Sequence, residues 1–313
     1  MTLRSLAPVA VLILLCLLIT VFSPNFLSFG NIVRVFNAAA IPMVLAMGAT
    51  FVILMGSIDL SVEGIVSLTA VVTAALVLND HTAANLGLWA VPLAMLAGAA
   101  IGTANGATHV LLRIPSFMAT LGIGFVCLGV STAALGGYPV RITDRAFRNL
   151  TLGRTFDIPH GVYIALAAVL LAYVIQQRTR LGRWVYAIGT DETTARQSGV
   201  PVARTRIMVF ALAGLFSGLA GAMAAAQLGQ GHGLIASGRL FTTITAVVVG
   251  GTALSGGVGS VLNSVVGVLI VVVLTNGMVL MGVPPFVQQG VQGLLIIVAV
   301  SLALDRRLLK VVK

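Results

Sequence analysis

A chain of 313 residues that is 58% apolar and charged at only 8% of its positions, with a mean hydropathy of +1.09, cannot build a water-facing surface, since a soluble domain is about a quarter charged. This excludes a soluble enzyme, a disordered chain and a disulfide-framed mini-domain. The net charge of +10 does not imply nucleic acid, because the basic residues punctuate apolar runs instead of forming one stripe.

Charge-free runs cover Ser5–Val33, Thr82–Leu112, Ile114–Val140, Ile207–Gly238 and Leu240–Leu304, the last 65 residues long. A membrane-crossing helix takes about 20 apolar residues, so these runs hold several. Barrel strands would alternate polar and apolar, which these runs do not. The expected class is an all-α polytopic membrane bundle forming one domain over 1–313. Glycines, prolines and charges cut it into about ten spans, near 6–22, 33–55, 63–79, 88–111, 116–136, 161–177, 207–227, 241–255, 260–277 and 288–304. The last long run also leaves room for a re-entrant segment.

The first span follows Arg4 and lacks a small-x-small cleavage site over 20–26, so it reads as uncleaved. Cys16 and Cys127 both fall in apolar runs and imply no disulfide. With the N-terminus inside, cytoplasmic segments collect twelve of the 18 basic residues, among them Arg178, Arg180, Arg183, Arg196, Arg204 and Arg206. The opposite side receives six, which places both termini in the cytoplasm.

At the start of the third span Asp59 and Glu63 are the acids nearest the bilayer. Charge there is costly and marks function by default. Alternatively Asp59 or Ser61 caps the helix and Glu63 occupies its first turn, where negative charge is favoured. Asn105 and Thr120 are uncharged polar residues within later spans, either interhelical glue or path lining. Gly98, Gly102 and Gly106 repeat every four residues, as do Gly214 and Gly218, a spacing that lets helices pack closely. The stretch from Gly56 to Glu63 is weakly echoed by Gly250 to Gly257, either a duplication or two similar bends.

Two loops interrupt the pattern. Residues 137–160 carry Arg141, Asp144, Arg145, Arg148, Arg154 and Asp157, which suits either a solvated connector or a docking surface. In the more polar loop 178–206, Thr190 precedes Asp191 and Glu192, Arg196 follows late, and Gly199 comes just before Pro201. That order predicts a short helix with an N-cap, acids in the first turn and a terminating glycine. So short a helix needs an external support, from the same chain or from a partner.

Chemistry is bounded by what is missing. Lys310 and Lys313 are the only lysines, so no G-x-x-x-x-G-K-[ST] phosphate loop exists. There is no G-x-S-x-G or H-E-x-x-H, and the four histidines are scattered.

Several motifs in order resemble the permease subunits of ATP-binding-cassette importers for monosaccharides, the ribose-type branch. They are Ile58-Asp59-Leu60-Ser61-Val62, Asn105-Gly106, Pro115 through Gly122, Thr179-Arg180-Leu181-Gly182-Arg183, Ala187-Ile188-Gly189, Glu192 through Val200, and Val249-Gly250-Gly251-Thr252 with Gly256-Gly257. Glu63 and Leu128 depart from it, where glycine and often arginine are usual. The resemblance implies a bacterial inner-membrane, multi-pass transport subunit and not an enzyme. Its partners would be a separate ATPase holding ATP and magnesium, a periplasmic sugar-binding protein, and a second permease, identical or paralogous. It implies no cofactor on this chain and no nucleic acid. Asp191, Glu192, Ala195, Arg196 and Gly199 would form the coupling segment, with Ala195 facing the ATPase groove. Asp59, Ser61, Asn105, Phe117 and Thr120 are the candidates for the translocation path. The competing reading is an ion-coupled secondary transporter that uses Asp59 or Glu63.

Overall fold

The computed structural model describes residues 3–303; the basic C-terminal tail that entered the orientation argument lies outside them. Two helices form the centre. Helix α2 (Phe29–Leu54) follows α1 (Leu3–Phe22), and its start is capped by the Ser28 hydroxyl, which accepts from the Asn31 N–H. Helix α10 (Val202–Leu228) is the other. Both are apolar on every side, the pattern of a helix that neighbours surround. Around them lie α3 (Val62–Leu76), α4 (Ala90–Leu112), α5 (Ser116–Ala134), α7 (His160–Arg178), α11 (Arg239–Val249), α12 (Val261–Leu280) and α13 (Pro285–Ala303).

The α4–α10 seam is made of backbone. Gly98 meets Gly214 and Gly218, Gly102 meets the Phe210 carbonyl, and Gly106 lies against Ile207, so the two helices run antiparallel. A Cβ on Gly106 would sit 2.7 Å from the Ile207 Cα, which is backbone and cannot swing aside. The glycine spacing therefore has the packing role read from sequence. Polar pairs tie α12 to α2: Asn31 and Asn276 exchange amide hydrogen bonds at 3.0 and 3.1 Å, and the Thr50 hydroxyl donates to Ser264 at 2.7 Å. Each such link is worth about 0.6 kcal/mol in a bilayer.

Among the described residues, six helices are long and apolar enough to cross a membrane: α2, α4 with the turn before it, α5, α7, α10 and α12. Every expected span contains a helix, but two fall well short. Helix α11 has 11 residues, about 16 Å of rise against a hydrocarbon core of about 30 Å. Helix α3 has 15 residues. The expectation of full spans at 63–79 and 241–255 is corrected accordingly. An uncharged stretch does not have to be a continuous helix: a glycine bend ends α11, while α3 stops where Val77 turns extended.

The bends are alike. After α2, Gly56 takes φ +75°, its N–H bonds to Ile53 O and the Ser57 N–H to Val52 O. After α11, Gly251 takes φ +97°, its N–H bonds to Val248 O and the Thr252 N–H to Val247 O. Both are Schellman closures with glycine at the left-handed position. The structural echo thus aligns Gly56 with Gly251, one place away from the match seen in sequence.

Residues 137–160 are more ordered than a solvated connector. Asp144 caps α6 (Arg145–Leu152) by accepting the Phe147 N–H at 3.0 Å, and Phe147 is fully buried. Strand β1 (Val140–Arg141) pairs with β4 (Gln230–Gly231), and β2 (Arg154–Thr155) with β3 (Ile158–Pro159). Helices α7 and α10 separate this region from α8 (Arg180–Thr190) and α9 (Glu192–Gln197) at their other ends. The bundle therefore has two folded faces, one at each end.

Replacing Gly102 with Ala should cost about 1–3 kcal/mol, because its Cβ meets fixed backbone. Gly122→Ala, where nothing lies within 4 Å, should be neutral or slightly stabilising. Thermal unfolding of the two variants in detergent compares them directly.

Candidate functional site

The α8–α9 face contains a single-residue elbow. Asp191 ends α8 through its N–H to Ala187 O at 3.2 Å and starts α9 by accepting the Ala195 N–H at 3.0 Å. Its carboxylate accepts the N–H groups of Thr193 and Thr194 at 2.9 and 3.1 Å, and the Thr194 hydroxyl at 2.7 Å. Asp191, not Thr190, is therefore the N-cap. Thr190 is still helical and donates its hydroxyl to Tyr186 O at 2.9 Å. A carboxylate can take several orphan amides at once, which favours it over the threonine one place earlier.

Glu192 opens α9 and holds two arginines, Arg196 at 2.7 Å and Arg206 of α10 at 2.6 Å. The helix ends as read from sequence: Gly199 has φ +81°, its N–H bonds to Arg196 O and the Val200 N–H to Ala195 O. Ala195 does not face outward. It is 4% exposed and packs into the main core, so it seats α9 on the bundle. Thr193, Thr194, Arg196, Gln197 and Ser198 make the exposed side. A groove of about 390 Å³ runs between the two helices, lined by Tyr186, Thr190, Thr194 and Val200 among others.

Charge in this region is matched. The hydroxyl and amide of Thr194 hold the Asp191 carboxyl below its ordinary range. Burial pushes the Glu192 carboxyl up, but Arg206 and Arg196 outweigh that and leave it below its ordinary value.

Four of the five path candidates meet at the bend between α2 and α3. Asp59 Oδ1 accepts the Ser61 N–H at 2.8 Å and the Ser61 hydroxyl. Asn105 Nδ2 of α4 donates to Ser61 Oγ at 2.7 Å, and Thr120 Oγ1 of α5 accepts the Leu60 N–H at 2.9 Å. Ser116 Oγ takes the Ile58 N–H at 3.1 Å. All four are buried, and Asn105 Oδ1 has no partner. They supply the bonds that a broken helix leaves open inside a bundle. Phe117 lies apart, 41% exposed on α5.

Glu63 reaches farther than its own first turn. Its Oε1 accepts the Leu240 N–H at 3.0 Å, so the carboxylate of α3 satisfies an orphan donor at the start of α11. Sequence reasoning missed this cross-chain cap, and it missed Gln176 and Tyr186. Gln176 Oε1 accepts the Val261 N–H at 3.1 Å, Gln176 Nε2 donates to the Tyr186 hydroxyl at 3.1 Å, and that hydroxyl donates to Gly259 O at 2.6 Å. A glutamine closing an otherwise apolar helix was the available signal.

Residues 31–300 match the family described as branched-chain amino acid transport system / permease component. The chain is similar to the ribose import permease protein of Escherichia coli K12, 36% identical over 260 residues that cover 82% of this chain and 80% of that one. It is 33% identical to the D-allose transport system permease protein of the same organism, covering 81% and 78%. The L-arabinose transport system permease protein is also 33% identical, with coverage of 83% and 77%. No solved structure matches the chain.

Both acids of the elbow have lowered folded-state values, so their contribution to α9 is complete above the unfolded carboxylate range and is lost as pH falls through and below it. Amide protection of 192–198, taken relative to the intrinsic exchange rate at each pH, should be equal at about pH 7 and 5 and fall toward about pH 3. Separately, Glu63→Gln keeps an acceptor for Leu240 and should stay close to the parent in stability, whereas Glu63→Ala leaves an orphan N–H and should cost about 1–3 kcal/mol, read by thermal unfolding.

Proposed function

The chain belongs to this permease family, as a multi-pass inner-membrane transport subunit and not an enzyme, and on that premise we propose that it carries a monosaccharide or related polyol inward, driven by a separate ATPase. ATP and magnesium would reside on that ATPase, with none bound by this chain. The observation that carries the reading is α9, a helix of six residues capped at both ends and anchored to α10 by Arg206 while most of its side chains stay exposed. Isolated helices of this length do not persist in water, and a force-bearing contact requires one that does.

In this reading Glu192, Arg196 and the exposed threonines meet the ATPase, Asp191 and Gly199 set the ends of the helix, and Ala195 seats it. The basic-loop asymmetry supports a cytoplasmic α8–α9 face and cytoplasmic termini. The α6 and β2–β3 face would then receive a periplasmic sugar-binding protein. The permease would work as a pair, with a second copy or a paralogue, as one membrane domain over 1–313. Asp59, Ser61, Asn105 and Thr120 would hold the bend beside the path, and Phe117, the exposed member of the set, would line it. Alternating access follows if nucleotide on the ATPase biases inward- and outward-facing arrangements.

Three outcomes test the proposal in the assembled importer. Thr193→Arg, on the exposed side of α9, should reduce co-purification of the ATPase while leaving the permease inserted. Gly199→Val forces a β-branched residue into a left-handed position and should cost about 1 kcal/mol or more locally, with loss of ATP-driven uptake. Ser198→Cys should resist impermeant thiol reagents in intact cells. Sugar uptake by vesicles without any ATPase would instead favour an ion-coupled transporter using Asp59 or Glu63.

A further inference from the structure

The end of α8 is inserted between the two glycine bends, with main chain touching main chain. A Cβ on Gly189 would overlap the carbonyl oxygen of Leu54, the last residue of α2, and would lie 2.5 Å from the amide nitrogen of Gly257, in the loop that the second bend opens. Those two atoms are themselves bonded: the Gly257 N–H donates to Leu54 O at 2.8 Å. Around this bond the fit is close from every side. A Cβ on Gly256 would stand 2.8 Å from Gly56 N and 2.9 Å from Gly189 O, and one on Gly257 would stand 2.8 Å from the Thr190 hydroxyl. Three segments distant in sequence, 54–57, 189–190 and 256–257, thus converge almost wholly through main chain, with the Thr190 hydroxyl at the margin.

The connection from α9 to this joint is short. Asp191 alone joins α8 to α9, and both of its backbone bonds are helical ones. Val185 and Ile188 are buried beneath α8, and Tyr186 bonds to Gly259 just past the second bend. Packed interiors transmit displacement instead of absorbing it. Each bend also terminates or precedes a helix too short to cross a membrane alone: α3 follows the first, and α11 leads into the second.

We propose that the α8–α9 elbow bears directly on both bends, and that Gly189 is the positioning residue that passes displacement of α9 to the half-helices α3 and α11 together. Any side chain at 189 would separate Leu54 from Gly257 and leave α9 attached to a loosened joint. This inference rests on the reading that α9 meets an ATPase, and the experiment separates the two.

Gly189→Ala is introduced into the full permease, assembled with its ATPase in proteoliposomes, and supplied with loaded sugar-binding protein. The expected result is undiminished co-purification of the ATPase, since the exposed side of α9 is untouched. Uptake should fall about tenfold, a typical coupling between sites, and the binding protein should no longer stimulate ATP hydrolysis. A change that only lowered folded yield would leave that stimulation intact per molecule. Normal stimulation and uptake in Gly189→Ala overturn the inference while the coupling role of α9 stands. If Thr193→Arg leaves ATPase association unchanged, the coupling role falls and takes this inference with it. Should Gly189→Ala fail to accumulate, amide exchange in the parent complex decides. Nucleotide binding should then alter protection at 54–57, 187–190 and 250–257 together, and a response confined to 187–199 overturns the proposal.

Discussion

Inside a bilayer no water is available to finish a broken helix, so every N–H and C=O released at a break must find a partner within the protein. This chain breaks two helices in the same way and satisfies both ends with its own backbone and small polar side chains. Schellman closures at Gly56 and Gly251 take up the last carbonyls of α2 and α11. Ser116, Thr120 and Asn105 complete the first bend, and Gln176 completes the amide of Val261 after the second. The Gly257–Leu54 bond then joins the two bends. Helix lengths, the seating of α8 and the position of the elbow all follow from where these breaks fall.

The polar residues of the bundle are best understood against that requirement. Asp59 presents one carboxylate oxygen to Ser61, and Ser61 is held in turn by Asn105. Glu63 spends its carboxylate on the start of α11. An acid near the bilayer can therefore serve the continuity of the backbone. The unpartnered Asn105 Oδ1 is an exception within this cluster, and hydrogen bonding within it does not account for that atom.

Much of this was legible in the sequence. Charge-free runs give the membrane class, because no water-exposed surface could be made from them. The order Asp191, Glu192, Arg196, Gly199 gives α9, because helix ends demand those residue types locally. Gly98, Gly102 and Gly106 give a close seam for the same kind of reason, though not its partner. What escaped depends on distant neighbours. The short length of α11 is invisible in a run of 65 uncharged residues, since glycine is also common in continuous membrane helices. That Ala195 points inward is set by α8 and α10 beneath it, and that Glu63 caps α11 is a contact across 177 residues. The cap falls on Asp191 and not Thr190 because Thr190 is the last residue of α8.

The convergence at Gly189 has a consequence for how such a protein can diverge. Where three segments touch chiefly through amide nitrogens, carbonyl oxygens and α-carbons, the fit depends little on side chains beyond the Thr190 hydroxyl and strongly on the presence of glycine. The residues around it are then free to drift, and those that meet cargo can be exchanged without rebuilding the joint. A scaffold of this kind can change at its exposed positions while its few glycines stay fixed by bare geometry.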